Sequence, residues 1–154
     1  MSKITLSKGN VEAVIVNRRA TEVEHFVYIA VANKKVKYQS GSYSKIVYIG
    51  KTKVGLREVS LNLAKCAPKV FEEHGIKSLR YYLIVPKKKT GLDGWSHLER
   101  ALLSEFKFFH NEVPKANTQG KKFNMDNPAV KKSRSFFTEK TLYDTIVHYS
   151  QIGD

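Results

Sequence analysis

The chain has 154 residues, with 27 Lys plus Arg against 14 Asp plus Glu and a formal charge of +13. That length suits one domain with its own core, and the charge predicts attraction to polyanions through phosphates, with strong salt dependence. Cys66 is the only cysteine, which excludes an internal disulfide and a cysteine metal cluster. No segment approaches the ~20 apolar residues of a membrane span, and "MSKITLSKGN" lacks the apolar heart of a signal peptide. A reducing, cytoplasmic setting without a membrane partner is therefore expected.

In chain order, "VEAVIVN" (Val11–Asn17) and "EHFVYIAVA" (Glu24–Ala32) are rich in β-branched and aromatic residues, so both are expected to be strands. The polar stretch "NKKVKYQSGSYSK" separates the second of them from "IVYIG". Its Ser40-Gly41-Ser42 turn signal predicts a hairpin with a long or decorated connection. After Gly50, Leu56, Val59, Leu63 and Cys66 recur at three- and four-residue steps, which predicts a helix with one apolar stripe. Pro68 is expected to interrupt it and open a second short helix, Lys69–His74, closed by Gly75.

"SLRYYLIVP" (Ser78–Pro86) predicts a third central strand, and "KKKTGLDG" an exposed basic turn. Trp95, Leu98, Leu102, Phe106 and Phe109 then mark a helix with Ser96 as its expected N-cap. "NTQGKKFNMDNPAVKKSRS" has no clear period and is expected to be a loop with short regular pieces. "EKTLYDTIVHYSQI" predicts a terminal helix that turns Leu142, Ile146 and Tyr149 inward. The sum is a single α/β (α+β) domain over 1–154. It has a small central antiparallel sheet of about three strands, plus an N-terminal strand, flanked by three or four helices.

"FVYIA", then "VYIGKT", then Arg57, then "LERALLSEF", then "PKAN" resembles the GIY-YIG nuclease family in the order of its parts. The resemblance spans roughly Phe26–Asn117, which makes a core of about 24–118 and leaves a C-terminal basic loop and helix over 119–154. It implies a three-stranded antiparallel sheet with helices, and hydrolysis of phosphodiester bonds in DNA with one Mg²⁺ or Mn²⁺ ion. By position, Tyr28 and Tyr48 match the two motif tyrosines, Lys51 follows the second motif's glycine, Arg57 matches the helix arginine and Asn117 the terminal asparagine. Three places depart from the pattern. Phe26 and Val27 replace the Gly and Ile of the first motif, the two tyrosines lie 20 positions apart (48 minus 28), and Leu61 stands where a histidine is common.

The chemistry can be argued from the residues themselves. Phosphodiester hydrolysis needs an activated water, neutralisation of growing phosphate charge, and help for the leaving oxygen. A phenol with a pKa near ~10 is a poor base at neutral pH. Lys51 and Arg57 are expected to favour its ionised form, and the planar fork of Arg57 suits a phosphate oxygen. Asn117 would orient groups without adding charge, and Gly50 would give the backbone room at the strand end. Mg²⁺ needs a carboxylate. Glu99 and Glu105 both compete for that role. On a helical wheel Glu99 falls at the edge of the apolar stripe, roughly 100° from Leu98, and Glu105 falls within it, which favours Glu99 as ligand.

A second set of residues is expected to grip phosphates: Lys53, Lys87, Lys88, Lys115, Lys121, Lys122, Lys131, Lys132 and Arg134. Phe123, Phe136 and Phe137 are interleaved with them and could stack on unpaired bases, wedge a duplex, or equally anchor the loop to the core. DNA is the expected partner, with RNA open beside it, and specificity would come from the hairpin, the C-terminal part, a homodimer or another protein. The competing function class is a nucleic-acid-binding module that has the fold but lacks the reaction.

Overall fold

A computed structural model describes residues 12–87, 93–118 and 123–153. The run Phe26–Ala32 is buried at every position, which fits a central strand covered on both faces. This strand, β1 (Phe26–Lys37), pairs antiparallel with β2 (Tyr43–Thr52) on one side and β3 (Leu79–Ile84) on the other. Around the sheet lie α1 (Arg18–Thr21), α2 (Leu56–His74), α3 (Gly94–His110), α4 (Pro128–Ser135) and α5 (Glu139–Gln151). The architecture is mixed α+β, as the sequence patterning predicts.

The main core joins Val27, Ile29, Val47 and Ile49 of the sheet to Leu102 and Phe106 of α3 and to Leu142 and Ile146 of α5. Each fully buried aliphatic or aromatic side chain of this kind contributes about 1.5–3 kcal/mol. A second, smaller cluster sets Phe26 and Tyr28 beneath Val59 at the start of α2. Tyr38, at the end of the hairpin, donates its hydroxyl proton to the Ile46 carbonyl at 2.5 Å and stacks edge-on against Phe106.

Several expectations are corrected. Residues 12–17 form no strand, and Val14, Ile15 and Val16 are 64%, 77% and 57% exposed. A strand needs a neighbouring edge, and none pairs with this segment among the described residues. The hairpin connection is short, because the extra residues lengthen both strands, with register shifts at Ala30/Val31 and Val31/Val36 that absorb the mismatch. Helix α2 runs unbroken through Pro68. Pro68 and Ala64 both face solvent, so water can satisfy the carbonyl that the proline leaves unbonded. Gly75 does close the helix, in the left-handed conformation at φ 61°.

Ser96 is not the cap of α3. Asp93 holds that position, and the Ser96 hydroxyl is spent on Lys51. The segment after Asn117 contains a true helix, α4, whose cap is the Asn127 side chain accepting from Ala129 N–H at 2.9 Å, with Pro128 in the first turn.

The two sheet edges differ. The segment 114–117 lies along β2, where Ala116 N–H bonds the Val47 carbonyl at 2.9 Å and Asn117 grips Ile49. The outer side of β3 has no backbone hydrogen-bond partner among the described residues.

Candidate active site

Antiparallel register brings the motif tyrosines together. Ala30 stands between Tyr48 on β2 and Tyr81 on β3, and Tyr28 stands between Gly50 and Leu83. Paired and alternate residues share a face, so one side of the sheet carries two rows, Tyr48–Ala30–Tyr81 and Gly50–Tyr28–Leu83. Small residues at Ala30 and Gly50 leave room for the three rings. The Tyr28 and Tyr48 rings stack at 5.7 Å and 24°, and Tyr28 lies 6.1 Å from Tyr81. Gly50 is required for this. A Cβ there would meet Tyr28 Cζ at 2.8 Å and Oη at 2.9 Å, and would overlap Tyr48 Cε1.

Helix α2 covers this face. Its Asn62 accepts a hydrogen bond from the Tyr81 hydroxyl at 3.3 Å, and its Glu58, one turn earlier, lies within electrostatic reach of Tyr28, Tyr48 and Glu99. From α3, half-buried Glu99 lies within electrostatic reach of Lys51, Arg100, Glu58 and Tyr48. Burial pushes the Glu99 carboxyl above its ordinary range, Lys51 and Arg100 oppose that, and Glu58 adds to it. Two carboxylates and a phenol thus lie within electrostatic reach of one another, with Lys51 acting on Glu99 from the other face of the sheet. That donor set fits a hard divalent cation, which uses one or two carboxylates and keeps several waters. No group of three or more His, Cys, Asp or Glu that could hold a metal occurs among the described residues.

The phenols behave differently from the expectation. Burial raises the pKa of both Tyr28 and Tyr48. The interaction of the two hydroxyls adds to the rise at Tyr28 and partly offsets it at Tyr48, whose pKa still stays raised. Lys51 does not counter the burial. It pairs across from Val27 and so points to the face opposite Tyr48, where Nζ donates to Ser96 Oγ at 2.6 Å. Arg57 is exposed in the first turn of α2 and has no hydrogen-bond or ion-pair partner among the described residues.

Asn117 acts on the site through the backbone. Its Oδ1 accepts from Ile49 N–H at 3.0 Å and its Nδ2 donates to the Ile49 carbonyl at 2.9 Å, which fixes the strand between Tyr48 and Gly50. Asn117→Ala is expected to leave both buried groups of Ile49 unbonded and to cost about 2–4 kcal/mol, read by urea denaturation.

Glu99 and Glu105 are sorted by position. Glu105 is buried away from the tyrosines and pairs with Arg134 Nη2 at 2.7 Å on the α3–α4 seam. Arg134 also donates to Ser104 Oγ at 2.9 Å, so its charge is engaged inside the protein. Lys115 is engaged too, with Glu112 at 2.6 Å and over the Tyr38 ring at 5.0 Å. Lys53, Lys87, Lys131 and Lys132 are exposed and able to meet phosphate, while Lys88, Lys121 and Lys122 lie outside the described residues. Sequence reasoning missed Tyr81, Asn62 and Glu58. The sheet order places Tyr81 on the tyrosine face, and the four-residue step from Glu58 to Asn62 places those two on one side of α2.

The chain matches no family model, and comparison with curated proteins and with solved structures finds no significant match to either. Within the described residues no helix is long and apolar enough to cross a membrane.

Proposed function

We propose that this protein is a metal-dependent endonuclease that hydrolyses phosphodiester bonds in DNA through a GIY-YIG-type site. The observation that supports it most is the stacked Tyr28–Tyr48 pair over Gly50, with Glu99 within electrostatic reach of Tyr48. Structural tyrosines need neither a carboxylate partner nor a glycine clearing for their hydroxyl.

Glu99 would hold Mg²⁺ or Mn²⁺, with Glu58 beside it, and the ion would supply the positive charge that phosphate gathers against in the transition state. Tyr48 is the better base of the two phenols, because the Tyr28 hydroxyl favours its ionised form and Tyr28 itself is only 2% exposed. Tyr48 would act as the phenolate, its own proton released to solvent beforehand. It would return to the neutral phenol on taking a proton from the attacking water, while Tyr28 stabilises the oxygen that receives it. Arg57, exposed at the start of α2 and unpaired among the described residues, is suited to a non-bridging phosphate oxygen. Lys51 would hold Glu99 in its ionised form.

One observation favours a second reading, a catalytically silent nucleic-acid-binding module: burial holds both phenols protonated. Incubation with supercoiled, linear, branched and single-stranded DNA, with Mg²⁺, Mn²⁺ or a chelator, separates the two. The endonuclease gives strand breaks in divalent metal only, whereas the module gives salt-dependent retention and intact DNA throughout.

Binding and cleavage should also separate by residue. Lys131→Gln with Lys132→Gln is expected to weaken DNA binding and to flatten the log K against log salt slope by about 2, roughly one per lost phosphate contact. Filter binding over a salt series checks this, and cleavage at saturating protein should be preserved.

A further inference from the structure

We infer that the segment 12–17 is a docking strand for the open edge of β3 in a second copy of this chain. Three adjacent β-branched residues, Val14, Ile15 and Val16, stand 64%, 77% and 57% exposed in a stretch without regular structure. β-Branched residues favour the extended conformation, and such a run left in water is a surface in search of a partner strand.

The partner strand is in the same fold. β3 is an edge strand of six residues, and its outward N–H and C=O groups have no backbone partner among the described residues. Five of its six residues are half-buried, with Tyr82 turned toward Tyr149 of α5 and Tyr81 toward Asn62 of α2. A strand added here would have cover on both faces. It should therefore be apolar at consecutive positions, and Val14-Ile15-Val16 is.

Charge supports a copy of this chain as the occupant. Glu12 is the only charged residue of the segment 12–17 in a chain of net +13, and the β3 edge presents exposed Arg80 with Lys77 just before it. The chain path disfavours pairing within one subunit. Val23 packs beside Phe26 and Val59, and the Glu24 carbonyl accepts from Gly55 N–H at 3.1 Å, so the polypeptide leaves β1 toward the β2 side. The segment would have to cross β1 again and unwind α1 to reach its own β3, whereas a second molecule meets it without either change. Two such exchanges close a twofold dimer.

Light scattering on the full chain tests this. In about 1 M salt, where the Debye length of about 3 Å removes nucleic-acid bridging, the expected mass is twice 17.6 kDa, falling toward 17.6 kDa on dilution. Ile15→Lys is expected to lose the dimer and Arg80→Glu to weaken it at lower salt, both positions being exposed, with circular-dichroism spectra like the parent's and melts that match the parent diluted to monomer. Mixing isotope-labelled with unlabelled chain should give intermolecular contacts between the Val14–Val16 methyls and the Tyr81 and Tyr82 rings. A mass of 17.6 kDa at every concentration overturns the proposal, as does a dimer that Ile15→Lys leaves intact, or methyl-to-ring contacts found only within one molecule.

Discussion

Glu99→Gln is expected to lower Mg²⁺-dependent cleavage by about a thousandfold, since a ligated divalent ion supplies several kcal/mol of transition-state stabilisation. DNA affinity should change little, because the exposed lysines proposed to meet phosphate are untouched. The same substitution has a second, opposite effect on the fold. Burial raises the folded-state pKa of Glu99, so its ionised form opposes folding above that value. As pH falls through it, the folded protein binds the proton more tightly than the unfolded chain does, and stability is gained. In a chelator at neutral pH, Glu99→Gln should therefore melt no lower than the parent, and any gain should shrink in mild acid. An inactive variant that is at least as stable as the parent would mark Glu99 as kept for chemistry. Thermal melts over a pH series read the stability, and plasmid nicking reads the activity.

Arg134→Ala should produce the largest loss of stability, about 3–5 kcal/mol, because it leaves the Glu105 carboxylate buried without its counter-charge. The Glu105 side chain is 6% exposed, so water has little access to compensate. Replacing both partners, Glu105→Leu with Arg134→Met, is expected to recover most of the loss, since two apolar groups have no unpaired charge to bury. Urea denaturation of the two single variants and the pair checks the cycle. Neither change should reduce the cleavage rate of the folded fraction, because the Glu105–Arg134 pair sits on the α3–α4 seam rather than beside Tyr28 and Tyr48.

Much of this fold is legible in the residues. The runs that become β1, β2 and β3 are β-branched and aromatic, and the apolar steps along α2, α3 and α5 are regular. The ordering of Tyr28, Tyr48 and Glu99 along the chain survives as proximity in space. What stays hidden depends on partners that a linear pattern does not show. "VEAVIVN" has strand propensity, yet a strand exists only where an edge receives it. Pro68 looks like a break because its solvent-facing position is not visible from the proline itself. Arg134 looks like a free cation because Glu105 becomes its neighbour only through the packing of α3 against α4, whereas the partner of Lys115, Glu112, stands three residues before it and was legible in the sequence.

The failed expectation about Lys51 is different in kind. Lys51 lies three residues after Tyr48, and an odd separation on a strand places two side chains on opposite faces. That much was deducible from the sequence. The helical wheel likewise separates the two glutamates by burial: stripe-edge Glu99 is half-buried, and mid-stripe Glu105 is buried against α4.

The most direct measurement follows the aromatic NMR signals as Mn²⁺ is added in substoichiometric amounts. Paramagnetic broadening confined to the ring resonances of Tyr48 and Tyr28, and absent in Glu99→Gln, is the result expected of a metal held by Glu99 beside the stacked phenols. Broadening centred on other residues, or equal broadening in the parent and the variant, would contradict it.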